Sequence, residues 1–183
     1  MKIVRALPIL LAGFIGVVSV AQGSEQAGKW YGSPMAAYMV PDSNRNLDGG
    51  VLGRRLGIGR AFSDHINGEL ALNYFDAQGD GGPDTSFTGV VANGMYLWNR
   101  EGTFAPYVLA GIGYLRTDPD GFSTQNRTQL QAGPGILVDL GFDRLALRAE
   151  VLGRWADESP SSSTDMLINV GLQIAFGGKS AKK

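Results

Sequence analysis

His65, the only histidine in the chain, directly follows Ser63 and Asp64. A hydrolase uses these three residue types as base, nucleophile and orienter, but its triad converges from separate elements, and three neighbours in a turn do not project into that geometry. Ser63 and Asp64 are natural turn formers, so the segment reads as a solvated turn. Glu69 and Glu150 could form an acid/base pair, yet counter-ions for interior arginines are the simpler role. Acidic oxygen donors recur at Asp42, Asp48, Asp80, Asp84, Asp118, Asp120 and Glu158, most densely in DAQGDGGPD and DPDG. Oxygen ligands suit calcium or magnesium, but neither stretch has the EF-hand pattern, and turn-forming, solvated acids account for both. No catalytic residue, cofactor site or metal site is therefore assigned.

Composition removes further classes. The chain has no cysteine, and its 16 Lys and Arg nearly balance 17 Asp and Glu. A disulfide scaffold, a thiolate metal centre and a polybasic nucleic-acid binder are all disfavoured, and no basic stripe with interleaved aromatics is present. The chain opens MKIVRALPILLAGFIGVVSVAQGS. Lys2 and Arg5 form a positive region, Ala6 to Val20 an apolar one, and Ser19-Val20-Ala21 or Ala21-Gln22-Gly23 offers the small residues of a cleavage site. Residues 1–23 are read as an export signal and set aside from the fold. Without them 14 basic residues face 17 acidic ones. No later stretch is long enough for an apolar transmembrane helix, which leaves an exported soluble domain or a transmembrane barrel.

From Trp30 onward the chain falls into eight runs with period-2 character, separated by clusters of Gly, Asp, Asn, Ser and Pro. They are Trp30 to Val40, Gly49 to Phe62, Ile66 to Asp76, Thr85 to Trp98, Phe104 to Thr117, Thr128 to Phe142, Leu145 to Asp157 and Thr164 to Phe176. The last three alternate most cleanly: Leu145, Leu147, Ala149, Val151, Gly153 and Trp155 oppose Ala146, Arg148, Glu150, Leu152 and Arg154. A soluble sandwich alternates too, so the connections must decide. Pro41 to Asp48, Ala77 to Asp84, Asp118 to Arg127 and Glu158 to Ser163 read as long and polar; Ser63 to His65, Asn99 to Thr103 and Asp143-Arg144 are short. Long loops on one side and short turns on the other are the mark of an outer-membrane barrel. Phe62, Trp98, Phe104, Phe142 and Phe176 fall at the short-turn ends and Tyr38, Tyr74, Tyr114 and Trp155 toward the long-loop ends, as two interfacial girdles would.

Eight strands close on an interior just wide enough for side chains. Glu69, Asp139, Arg148, Glu150 and Arg154 are assigned there as a structural charge network, because isolated buried charges are costly and must be paired. Arg54 and Arg55 are adjacent, so one of them faces lipid. Arg54 takes that place in this register, where it can snorkel to the interface or meet lipopolysaccharide phosphates.

The segments FAPYVLAGIGYL (Phe104 to Leu115), LALRAEVLGRW (Leu145 to Trp155) and INVGLQIAFGGK (Ile168 to Lys179) resemble the eight-stranded barrels of the outer membrane protein A family and its small OmpX/Ail-like relatives. The resemblance implies an all-β, transmembrane, eight-stranded antiparallel up-and-down barrel over residues 24–176. It implies insertion into the outer membrane by the barrel-assembly machinery, helped by periplasmic chaperones. Phe176 resembles the closing aromatic of the assembly signal, and residues 177–183 form a short basic periplasmic tail too small for the peptidoglycan-binding domain of larger members. The expected role is structural, supporting envelope integrity, with surface loops for recognition. A narrow ion-permeable pore, a surface adhesin or host-resistance barrel, and a lipid A-modifying enzyme are the other readings. Lipid and lipopolysaccharide are the expected partners; nucleic acid is not, and the barrel is expected to be a monomer. Cysteine-reactive probes applied to whole cells should label sites placed in Ala77 to Asp84 and Asp118 to Arg127 and spare sites in Ser63 to His65 and Asn99 to Thr103; the opposite pattern would invert the topology.

Overall fold

A computed structural model describes residues 28–42, 49–77, 84–121, 123–142, 144–158 and 161–177. The signal segment 1–23, tail residues 178–183 and the loop acids Asp48 and Asp80 lie outside the described residues. Eight strands follow one another: β1 (Trp30–Val40), β2 (Val51–Ala61), β3 (Ile66–Ala77), β4 (Thr85–Leu97), β5 (Phe104–Pro119), β6 (Gln125–Phe142), β7 (Leu145–Glu158) and β8 (Ser161–Phe176). Each pairs antiparallel with the next, and β8 pairs with β1, from Trp30 opposite Phe176 to Val40 opposite Met166. The sheet is closed, which leaves no strand edge without a partner.

The expected runs Gly49 to Phe62 and Thr85 to Trp98 are observed as Val51–Ala61 and Thr85–Leu97, and the larger differences lie at the loop end of β5 to β8. β5 and β6 stay paired as far as Thr117 opposite Gln125, and β7 and β8 as far as Glu158 opposite Ser161. Of the connections read as long loops, half of Asp118 to Arg127 and most of Glu158 to Ser163 are thus strand. Hydrophobic alternation reports a strand only where its two faces meet different surroundings. Beyond the membrane both faces meet water, so polar residues continue the ladder without the pattern. At the opposite end the turns are tight. Ser63 Oγ accepts from the backbone N–H groups of His65 (3.3 Å) and Ile66 (3.1 Å), a hydroxyl-closed turn. Gly141, at φ 75, sits in a bulge between Asp139 and Phe142 that ends β6.

Register defines the wall. One row of directly opposed residues runs Leu145, Ile174, Gly32, Ile58, Leu70, Ala92, Ile112, Leu130 and back to β7 at Trp155, ten residues beyond its start. A stagger of that kind accompanies the ~35–45° strand tilt of small barrels. The row climbs from the short-turn end to the loop end in one circuit, and every member is apolar or glycine and none is buried. This is the outer face, an uninterrupted greasy spiral. Two ladders are locally open: β1 and β8 skip a step at Ser33-Pro34, and β6 and β7 skip one at Gly133-Pro134. Proline cannot donate to a ladder, and both rings point outward.

Val151 lies near the middle of the outward row of β7 and is exposed. Val151→Arg should lower unfolding stability in lipid by ~2–4 kcal/mol, read as a shift of the denaturant midpoint in vesicles, whereas Val151→Leu should be close to neutral.

Candidate functional site: the barrel interior

Residues on the inner parity meet across a narrow lumen. Near its mid-height four fully buried charges come together: Arg55 from β2, Glu69 from β3, and Arg148 and Glu150 from β7. Arg55 Nη2 lies 2.8 Å from Glu69 Oε1, and its Nε lies 3.2 Å from Glu150 Oε1, an ionic contact without hydrogen-bond alignment. Arg148 Nη1 binds Glu69 Oε2, and Arg148 Nη2 donates to Glu150 Oε2 at 2.9 Å. Each arginine therefore touches both glutamates, and the quartet is formally neutral.

The quartet is set in a polar frame. Tyr107 donates to Glu150 Oε2 (2.8 Å) and accepts from Arg148 Nε (3.0 Å), while its ring lies 5.6 Å from the Arg148 guanidinium carbon. Asn169 donates to Glu150 Oε1 (3.0 Å), Arg148 Nη1 reaches Ser33 Oγ (3.0 Å), and Arg55 Nη1 donates to Asn73 Oδ1 (3.1 Å). Space for these long side chains comes from glycine. A Cβ on Gly57 would stand 2.8 Å from the Glu69 carboxyl carbon, and one on Gly135 would stand 2.2 Å from the Tyr107 ring. Such close approaches are what glycine in a strand commonly marks.

Two further sets of polar contacts stand above and below the quartet. Toward the loop end, Arg154 on β7 binds Asp165 on β8 through Nη2 (2.7 Å) and Nε (3.1 Å), with its guanidinium carbon 5.8 Å from the Phe75 ring. The chain after β1 is tied to this pair: the Asp42 N–H donates to Asp165 Oδ1 (3.0 Å), and Asp42 Oδ2 accepts from the Thr164 N–H (2.9 Å). At the short-turn end Arg100 reaches across to Asp64 O (2.6 Å) and to Asn67 Oδ1. Beside Arg100 a small cavity is lined by Leu97, Leu137, Asp139, Ala146 and Gln173.

The interior is thus not one network of the five expected charges. Glu69, Arg148 and Glu150 are brought together, while Arg154 belongs to a second cluster nearer the loops. Asp139 belongs to neither. It has the inner parity, but Arg148 is opposite Leu137 and Asp139 is opposite Ala146, two residues closer to the short-turn end. There its carboxylate accepts from the Gly141 N–H (2.8 Å) and caps the bulge. Arg55, Tyr107 and Asp165 were missing from the expected set. The first was legible in its adjacency to Arg54 and the last in its parity with Leu167 and Asn169; nothing in the sequence marks Tyr107 as a partner of Glu150.

The other candidates also have places. Arg54 is exposed on the outer wall, its guanidinium carbon 4.8 Å from the Tyr74 ring. His65 stacks on Tyr96 at 5.7 Å, with Nδ1 3.0 Å from Leu97 O. The Ser63 hydroxyl is engaged by turn amides, so the Ser-Asp-His neighbours do not converge. Among the described residues no three His, Cys, Asp or Glu side chains are grouped so as to hold a metal ion.

No protein-family model matches the chain, and no curated protein matches it either. Solved structures do. Neisserial surface protein A is similar over 80% of this chain and 97% of its own, at TM-score 0.69 and 16% identity. The outer membrane protein OprG from Pseudomonas aeruginosa is similar over 86% of this chain and 100% of its own, at TM-score 0.62 and 14% identity. The N-terminal β-barrel domain of Pseudomonas aeruginosa OprF is similar over 85% and 100%, at TM-score 0.52 and 19% identity. The closed antiparallel sheet, the apolar outer spiral and the polar interior together make this chain's fold that of the eight-stranded outer-membrane β-barrels.

Proposed function

We propose that the protein is a structural, monomeric outer-membrane barrel that supports the envelope as a closed wall element and is neither an open pore nor an enzyme. The observation that carries this reading is the neutral Arg55–Glu69–Arg148–Glu150 quartet filling the lumen near mid-height. An ion path needs a continuous hydrated route, and here paired charges are flanked by the Arg154–Asp165 contact above and the Arg100 contacts below. Export through residues 1–23 and insertion by the assembly machinery, with Phe176 as the closing aromatic, belong to the same reading. Recognition at the cell surface belongs to the connections after β1 and β3, where the chain between strands is longest.

In planar bilayers the purified barrel should show no steady conductance; an ohmic current scaling with salt would overturn the proposal. Overexpression should leave the mass of lipid A unchanged, and a new acylation or deacylation product would favour the enzyme. Arg148→Ala strips two carboxylates of a shared partner in a dry interior and should cost ~3–5 kcal/mol of unfolding stability. Replacing the whole quartet with apolar residues of matching volume should cost much less, since a buried pair is worth little against a well-packed hydrophobic substitute. Equal losses in the two variants would mean that the side chains matter for their volume and not for their charge.

A further inference from the structure

The outer wall changes character abruptly on one side of the barrel. Leu56, Leu72, Val90 and Tyr114 are directly opposed on β2 to β5 and all exposed, closing the apolar belt. The next outward row toward the loops reads Arg54, Tyr74, Thr88 and Arg116, again in direct register. Near the same ends of β7, β8 and β1 the outward residues are Trp155, Met166, Tyr38 and Val40, which are apolar or aromatic. The loop-side interface therefore has one cationic flank and one greasy flank.

On the cationic flank one acid is already engaged: Asp118 is paired with Arg116 (3.2 Å) and accepts from Thr124 (2.6 Å). Among the described residues no carboxylate pairs with Arg54, whose contact is the Tyr74 ring face at 4.8 Å. Register also fixes its depth. Rows climb toward the loop end in passing from β2 to β3, so Arg54 lies one strand step below Tyr74, on the membrane side of the aromatic girdle. A cation at that depth costs free energy unless its long side chain rises to an anion at the headgroup level. The Tyr74 ring face holds the guanidinium at 4.8 Å, and a guanidinium stacked in this way still has edge donors for bidentate contact with phosphate oxygens.

We propose that Arg54, seated on Tyr74 with Thr88 beyond it in the same row, forms a docking site on the β2–β5 wall for a phosphate of lipid A, the phosphorylated glycolipid of the outer leaflet. The inference rests on the reading of the barrel as an outer-membrane protein, which cell fractionation tests separately. Charge complementarity selects the occupant: a guanidinium that no carboxylate among the described residues pairs, at the headgroup depth of the loop-side leaflet, faces the phosphates that leaflet carries.

The test uses the purified, folded barrel, its fold verified by heat-modifiable gel migration, with retained lipid counted by native mass spectrometry. The probes are bis-phosphorylated lipid A, the same lipid dephosphorylated, and phosphatidylglycerol. Arg54→Gln should reduce retention of bis-phosphorylated lipid A by roughly tenfold, as loss of a charge-assisted hydrogen bond would. Arg60→Gln should leave it unchanged; Arg60 is the outward arginine at the far end of β2, 5.8 Å from the Trp30 ring. Dephosphorylated lipid A should bind the unmodified barrel as weakly as lipid A binds Arg54→Gln. Undiminished retention by a folded Arg54→Gln variant, or equal retention of the dephosphorylated lipid, would overturn the site. A loss of phosphatidylglycerol equal to the loss of lipid A would overturn the assignment of its occupant.

Discussion

A bilayer core offers no hydrogen bonds, and that constraint governs the rest of the molecule. Each strand N–H and C=O must find a partner within the protein, so the sheet has to close on itself. With eight strands and a ten-residue stagger, closure leaves an interior that side chains fill. Polar residues on the inner parity then lie within reach of strands on the far side of the barrel, and any charge among them must be neutralised by another. The Arg55–Glu69–Arg148–Glu150 quartet is the outcome. The glycines beside it follow from the same crowding, since Gly57 and Gly135 make room for Glu69 and Tyr107.

What the sequence disclosed and what it hid divide along a physical line. Parity is local: alternation within β7 assigns Arg148, Glu150 and Arg154 inward and Val151 outward from that strand alone. Height is not local. Whether Asp139 reaches Arg148 depends on the stagger of β6 against β7, which no single strand encodes, and the register puts Asp139 at the bulge instead. Arg154 finds Asp165 on the adjacent strand for the same reason. The loop-side ends of β5 to β8 were hidden differently, because water on both faces removes the contrast that makes a strand visible. β1, bathed by lipid on one side and packed on the other, is bounded by the sequence pattern to the residue.

The similarity to other barrels, at 14–19% identity, extends to architecture. A wall of this design can carry many roles, and the role is set by what is placed inside it and at its rims. Here polar contacts of different kinds stand at three heights of the interior. A salt-bridged quartet stands in the middle, an arginine–aspartate pair ties down the chain after β1, and at the other end a turn arginine joins the neighbouring turn.

The quartet also bears on how the barrel is made. Glu69 and Arg148 are 79 residues apart, and their strands face each other across the lumen. A sheet that has gained only β1 to β4 holds Arg55 and Glu69 but lacks both β7 charges, and its interior is still open to water. The full set of ion pairs forms only when β7 arrives, and the lumen dries only when β8 seals against β1. Contacts between such distant parts of a chain reward folding late, after the entropy of closing a long loop has been lost. The cluster at the centre of the wall is in this sense a latch: it contributes least to a half-built barrel and most to a finished one, so closure becomes the step that separates the two.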